Sequence, residues 1–131
     1  MFNLDLKDKV ILITGGSDGL GYASAELLSS EGAKVIICGR RGDYLNEKAK
    51  TISENTNNNV LAIQADVSKA EDCKRLVEET ISKFKKIDIL VNNAGAPAAA
   101  LFEDVSDKNW EDDINLKLMS TIRMCRLVIP Y

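Results

Sequence analysis

Four short, mostly apolar runs punctuate this chain, at residues 10–13, 34–38, 60–63 and 87–91. Each is followed by a segment with apolar residues at helical spacing. A β-branched run such as Val10, Ile11, Leu12 and Ile13 has no polar face. It predicts a strand buried on both sides of a parallel sheet. In the first helical segment Leu20, Ala23, Leu27 and Leu28 are expected to face inward, and Gly32 to end the helix. In the second, Asp43 is expected to cap a helix that buries Leu45, Ala49 and Ile52. Residues 55–59 are a polar, asparagine-rich loop. Ser68 and Glu71 have the spacing of a capping box for a third helix. Its stripe is Cys73, Leu76, Val77, Thr80, Ile81 and Phe84. A last long helical pattern runs from about residue 106 to the end, with a break near its middle.

The order β-α-β-α-β-α-β-α predicts an α/β domain with helices on both faces of a parallel sheet. A doubly wound sheet of this kind takes the strand order 3-2-1-4 and binds its ligand across the strands' carboxyl ends. The 131 residues suffice for one domain with its own core, and 45% hydrophobic with 28% charged residues fits a soluble globular chain. A net charge of −3 leaves no electrostatic footprint for nucleic acid or an anionic membrane. The apolar runs are strand-sized, too short to span a bilayer. Residues 1–8 mix charges with apolar residues, so no secretion signal is expected. Three scattered cysteines, no CxxC pair and no histidine argue against a disulfide framework, a metal site or Ser-His-Asp machinery. They favour a reducing, cytoplasmic compartment.

Every distinctive cluster falls at the end of a predicted strand. After the first comes Thr14-Gly15-Gly16-Ser17-Asp18-Gly19-Leu20-Gly21. Gly15 suits a tight turn, Gly19 a close approach of backbone to a diphosphate, and Gly21 close packing of helix on sheet. The helix start would add unpaired N–H groups and partial positive charge. An ordinary strand-to-helix turn is the plainer reading. At the second strand end, Gly39 stands where an acidic residue would grip the ribose hydroxyls of NAD. Arg40 beside it suits the 2′-phosphate of NADP, or is simply a solvated arginine. Asp18 would disfavour that phosphate unless Arg40 or Arg41 neutralises it. Asp66, with Val67, suits an adenine amino group or a strand-end turn. Asn92 and Asn93 suit a tie between strand ends, a ribose contact or a plain turn. Asn115 is by default exposed filler in the last helix.

Together these segments resemble the short-chain dehydrogenase/reductase family. Residues 14–21 match its TGxxxGxG motif, Asn92-Asn93-Ala94-Gly95 its NNAG motif and Asp66-Val67 its adenine-side Asp. Residues 110–115 resemble the segment ending in its catalytic Asn, and residues 4–10 its usual lead-in. The resemblance implies a Rossmann fold, a nicotinamide coenzyme and hydride transfer between a carbonyl and an alcohol. It implies that Gly15, Ser17, Asp18, Gly19, Leu20 and Gly21 bind the cofactor, with the backbone around Ser17 to Leu20 on the diphosphate, that Asn93, Ala94 and Gly95 line the ribose side, and that Asn115 helps hold a water in a proton relay. The absence of an acidic residue at Gly39, with Arg40 next to it, resembles members that use NADP(H) rather than NAD(H). Asp18 departs from members with a basic residue there.

The family's catalytic Ser and its Tyr-x-x-x-Lys pair lie further along the chain in members about twice this length. Tyr131 is not that tyrosine, since no Lys follows it. Residues 1–131 are therefore expected to be one NAD(P)-binding domain, truncated before the reacting residues and inactive alone. The fourth strand would be left as an edge. The last helix, apolar on more than one face, would seek another element or, as in the family, a second subunit of a homo-oligomer. The implied partner is a small carbonyl or alcohol substrate, with no nucleic acid and no membrane. Two other readings stand beside the enzyme: a non-catalytic dinucleotide-binding module or sensor, and, less compatible with the paired TGxxxGxG and NNAG motifs, a methyltransferase-like domain.

Overall fold

The computed structural model describes residues 4–131, so the reading of residues 1–3 lies outside the described residues. The elements follow the predicted alternation: β1 (Val10–Thr14), α1 (Gly19–Ser30), β2 (Lys34–Gly39), α2 (Gly42–Thr56), β3 (Leu61–Gln64), α3 (Ala70–Phe84), β4 (Ile89–Val91), α4 (Asp107–Ile114) and α5 (Ser120–Val128). A short 3-10 turn precedes α4, and a π-helical segment, Asn115–Met119, joins α4 to α5. The strands form one parallel sheet in the order β3-β2-β1-β4, the doubly wound arrangement expected.

Alternation of side chains along each strand divides the core into two layers. On one face Ile11, Ile13, Val35 and Ile37 pack with Ala25 of α1 and Leu45, Ala49 and Ile52 of α2. On the other, Val10, Leu12, Ile36 and Cys38 pack with Cys73, Leu76 and Val77 of α3 and Met124 and Val128 of α5. All five β1 residues are buried, as their unbroken apolar run requires. Among the described residues no helix is long and apolar enough to cross a membrane.

The sheet is tied by polar contacts at both ends. The Asp88 carboxylate accepts from the Val10 N–H at 2.7 Å and pairs with Lys86 at 2.9 Å. At the carboxyl ends, Thr14 Oγ1 accepts from the N–H groups of Asn93 and Ala94, both at 3.0 Å. The Asn58 amide joins the ends of α1 and β2's lead-in, donating to the Ser29 and Ala33 carbonyls.

Several local expectations are corrected. α1 buries Gly21, Ala25 and Ser29, while Leu20 is 81% and Leu27 62% exposed and Ala23 is exposed. The face is set by Gly21, where a Cβ would stand 2.2 Å from the Gly15 carbonyl oxygen. Once that residue faces the loop, Leu20 and Leu27 turn outward, while Leu28 stays packed against the core as expected. Asp43 does not cap α2: the helix starts at Gly42, with Arg41 at the cap position and Asp43 inside the first turn. The capping box at Ser68 does not form, because α3 starts at Ala70 and the Ser68 hydroxyl turns back to Asp66. β3 starts at Leu61 rather than Val60, and β4 at Ile89 rather than Ile87. The break expected in the last helix is the π-helical segment. There the Ser120 N–H reaches back five residues to the Asn115 carbonyl.

Candidate functional site

The carboxyl ends of the four strands border a single cleft of about 300 Å³. It is lined from β1's loop by Gly15, Ser17, Asp18 and Gly19, and from β2 by Cys38, Gly39, Arg40 and Arg41. Ala65, Asp66 and Val67 border it after β3, and Asn93, Ala94 and Gly95 after β4. Clusters up to 80 residues apart in sequence thus converge on one rim, where a doubly wound sheet binds ligands.

The loop after β1 is held by the strand beside it. Gly15 has φ +67, a conformation that disfavours a side chain, and a Cβ there would lie 2.9 Å from the Ala94 Cα. The Asn93 amide donates to the carbonyls of Thr14 (3.2 Å) and Gly15 (3.0 Å), so of its possible roles the tie between strand ends is the one the geometry shows. Asn92 donates to the Cys125 thiol at 3.4 Å and links β4 to α5. Gly19, with φ +54, has open space where its side chain would be. The first N–H groups of α1 have no intrahelical partner. No side chain caps them either, although Asp18 stands at the cap position.

Charge at the rim is arranged in two groups. Asp18 is paired with Arg41 at 2.7 Å and accepts the Tyr44 hydroxyl at 2.5 Å. The Arg41 guanidinium lies 4.1 Å over the Tyr44 ring. Arg40 is exposed, and its guanidinium has no hydrogen-bond or ion-pair partner among the described residues. Asp66 is committed locally: its carboxylate accepts from the Ser68 N–H (3.1 Å) and hydroxyl (2.7 Å). Its own N–H donates to Asp72 at 2.7 Å, and this bond, ahead of Arg75, holds the Asp72 carboxyl below the usual carboxylate range. Arg75 also grips the Gln64 carbonyl at 2.8 Å, fixing the end of β3. Burial pushes the Cys38 thiol up to about 12, so it lines the cleft as an inert apolar group.

Three residues expected at the site lie apart from this cleft lining. Gly21 supports the loop from below, and the Leu20 side chain points to solvent. Asn115 is half-buried at the start of the π-helical segment, and its side-chain amide has no partner among the described residues. Its neighbour Leu116 does reach the cleft. Single π-turns inside helices are frequent at functional sites. Leu116 carried no signal in the sequence, since a leucine on a helix reads as core. Tyr44 and Lys48 have the Tyr-x-x-x-Lys spacing, but on α2, where the hydroxyl is engaged by Asp18 and the ammonium lies 5.1 Å over the Tyr44 ring.

Comparison with known proteins fits this geometry. The short chain dehydrogenase family profile matches residues 9–131. The chain is 34% identical over 132 residues to an 11-beta-hydroxysteroid dehydrogenase A of Sesamum indicum, covering 100% of this chain and 38% of that one. Among solved structures it is similar to L-sorbose reductase of Gluconobacter frateurii complexed with NADPH and L-sorbose (TM-score 0.95, 34% identity, 98% of this chain and 49% of that one). It is also similar to an NADH-dependent reductase, A1-R′, complexed with NAD (TM-score 0.89, 32% identity, 99% and 54%). The chain thus spans about half the length of those two structures, and less of the plant relative. On the profile match and these identities, the chain belongs to the short-chain dehydrogenase/reductase family.

Proposed function

We propose that these residues are the coenzyme-binding part of an oxidoreductase that moves a hydride between NADP(H) and a carbonyl or alcohol substrate. The observation that carries this reading is the rim itself: an uncapped helix start, an open glycine backbone and an unpaired arginine facing one cleft. Backbone N–H groups around Ser17 to Gly21 would take the diphosphate. Arg40, with no competing carboxylate, would take a 2′-phosphate. Asp66 and Val67 would border the adenine, and Asn93, Ala94 and Gly95 the ribose. A bound nicotinamide supplies the hydride, and these side chains bind and orient it.

Arg41 neutralises Asp18, which removes the objection to a 2′-phosphate nearby. That favours NADP(H) over NAD(H), although the relatives include proteins complexed with either coenzyme. Asn115 would hold water beside the reacting group, in line with its free amide. The exposed apolar residues Ile114, Leu118 and Ile122 support a subunit interface in a homo-oligomer. The remaining reacting groups, a Ser and a Tyr-x-x-x-Lys pair, would have to come from chain beyond these residues. The 131 residues alone are therefore read as inactive, and the protein's place as cytoplasmic.

Titration of the chain with NADPH, followed by calorimetry, tests the reading. Saturable binding competed by NADP is expected, without turnover of carbonyl compounds. Heat no different from that of buffer would overturn it, and binding with no catalytic partner in the natural coding sequence would favour the non-catalytic module instead.

A further inference from the structure

Asp18 occupies the cap position of α1 with extended backbone, φ −143 and ψ 166, the conformation from which an aspartate ordinarily accepts the second or third helical N–H. Here those belong to Leu20 and Gly21. The carboxylate makes neither bond. It is turned away to Arg41 at 2.7 Å and to the Tyr44 hydroxyl at 2.5 Å, and Arg41 in turn rests on the Tyr44 ring. The three side chains close a triangle between the loop after β1 and the start of α2.

Fold stability does not explain this arrangement. The ion pair is 65% and 55% exposed, and pairs so exposed add little. Helix capping, which it forgoes, is worth more, at about 1 kcal/mol. What the triangle does accomplish is to decide which anion sits at the start of α1. A carboxylate at the cap position and a diphosphate at the helix start seek the same N–H groups and the same end of the helix dipole.

We propose that Arg41 and Tyr44 act as a latch that holds the Asp18 carboxylate off the start of α1 and so keeps those N–H groups open to the coenzyme's diphosphate. The proposal rests on the dinucleotide reading above. It makes Arg41 and Tyr44 positioning residues that act through Asp18, and it gives the acidic residue in the phosphate loop a defined place outside the diphosphate's path. It also separates the two arginines: Arg40 distinguishes coenzymes, whereas Arg41 serves both.

The test compares NADH and NADPH binding by calorimetry in the full 131-residue chain. In R41Q/Y44F the freed carboxylate falls back onto the helix. Both coenzymes should weaken by the same factor, roughly three- to tenfold for competition at a helix terminus. Placing the same two changes on D18A should leave both affinities where D18A alone puts them, because no carboxylate remains to be released. Y44F by itself removes one hydroxyl from the surface and should give a smaller loss of the same sign for both coenzymes. A loss confined to NADPH that persists on D18A would make Arg41 a direct phosphate ligand and overturn the latch. Affinities unchanged in R41Q/Y44F would overturn the latch alone. Failure of the unaltered chain to bind either coenzyme would overturn the dinucleotide reading and the latch with it.

Discussion

At the scale of single residues, the site depends on one missing atom and one unpaired charge. A Cβ on residue 21 would meet the Gly15 oxygen at 2.2 Å and the Asn93 amide nitrogen at 2.4 Å. Both neighbours belong to the tie between β1 and β4, so neither yields easily. Gly21→Ala is expected to lower stability by about 1–3 kcal/mol, as overpacking does, read from urea denaturation. An unchanged midpoint would mean that α1 lifts off the loop at no cost. Arg40 poses the complementary case. Its guanidinium has no partner among the described residues, and its carbonyl bond to Gln64 survives truncation, so Arg40→Ala should leave folding stability alone. If Arg40 takes the 2′-phosphate as proposed, the same change should weaken NADPH about tenfold or more, with NADH unchanged, in calorimetric titration. Equal losses for both coenzymes would assign Arg40 elsewhere.

At the scale of elements, what the sequence made legible was what needed no partner. β1 and the middle of β2 are apolar on both faces, so their burial followed from local pattern alone, and the alternation of strands and helices carried the parallel order. The inward face of α1 was legible only in part: Gly21 carried a packing role and Leu28 an inward one, but Leu20, Ala23 and Leu27 face outward because Gly21 rather than a leucine sets the face. The caps at Asp43 and Ser68 failed because neither helix starts where its local signal put it: α2 starts at Gly42, ahead of Asp43, and α3 at Ala70, with the Ser68 hydroxyl taken by Asp66. The cleft was legible as a set of strand ends, and Arg41 as one of two arginines able to neutralise Asp18; that Arg41 rather than Arg40 does so, together with the Tyr44 hydroxyl, no local rule finds. β4 shows a further device of this kind. Asp88 just before it accepts from Val10 at the start of β1, and the Lys86 bond, followed by the Val10 N–H, lowers its carboxyl from the ordinary 3.8. A carboxyl lowered on folding contributes stability that is complete above its unfolded value and disappears as pH falls through the folded one. Unfolding by urea at about pH 7 and about pH 3 is therefore expected to show a smaller acid loss in Asp88→Asn than in the unaltered chain. Equal acid losses would place the responsible carboxylates elsewhere, Asp72 in the first turn of α3 being the next candidate.

At the scale of the whole molecule, the two core layers meet only through the sheet, and the cysteines report on one of them. Cys38 of β2 and Cys73 of α3 both lie in the layer that α3 and α5 cover, and they are 1% and 0% exposed. Burial raises both thiols, Cys38 to about 12, so neither supplies thiolate in the folded chain. Cys125 is half-buried on α5, its thiol accepting from the Asn92 amide. A thiol reagent at mildly alkaline pH should therefore modify Cys125 first. If the helices and sheet of this layer open as one cooperative unit, Cys38 and Cys73 should then react together, with one common dependence on added urea. Mass spectrometry of the modified peptides distinguishes the three. Were Cys73 to react well before Cys38, α3 would be opening while β2 stayed paired. The end of β3 that carries Asp66 would then be the least stable border of the cleft. A coenzyme bound across all four strand ends should in that case slow Cys73 far more than Cys38, since a ligand stabilises most what it alone holds closed.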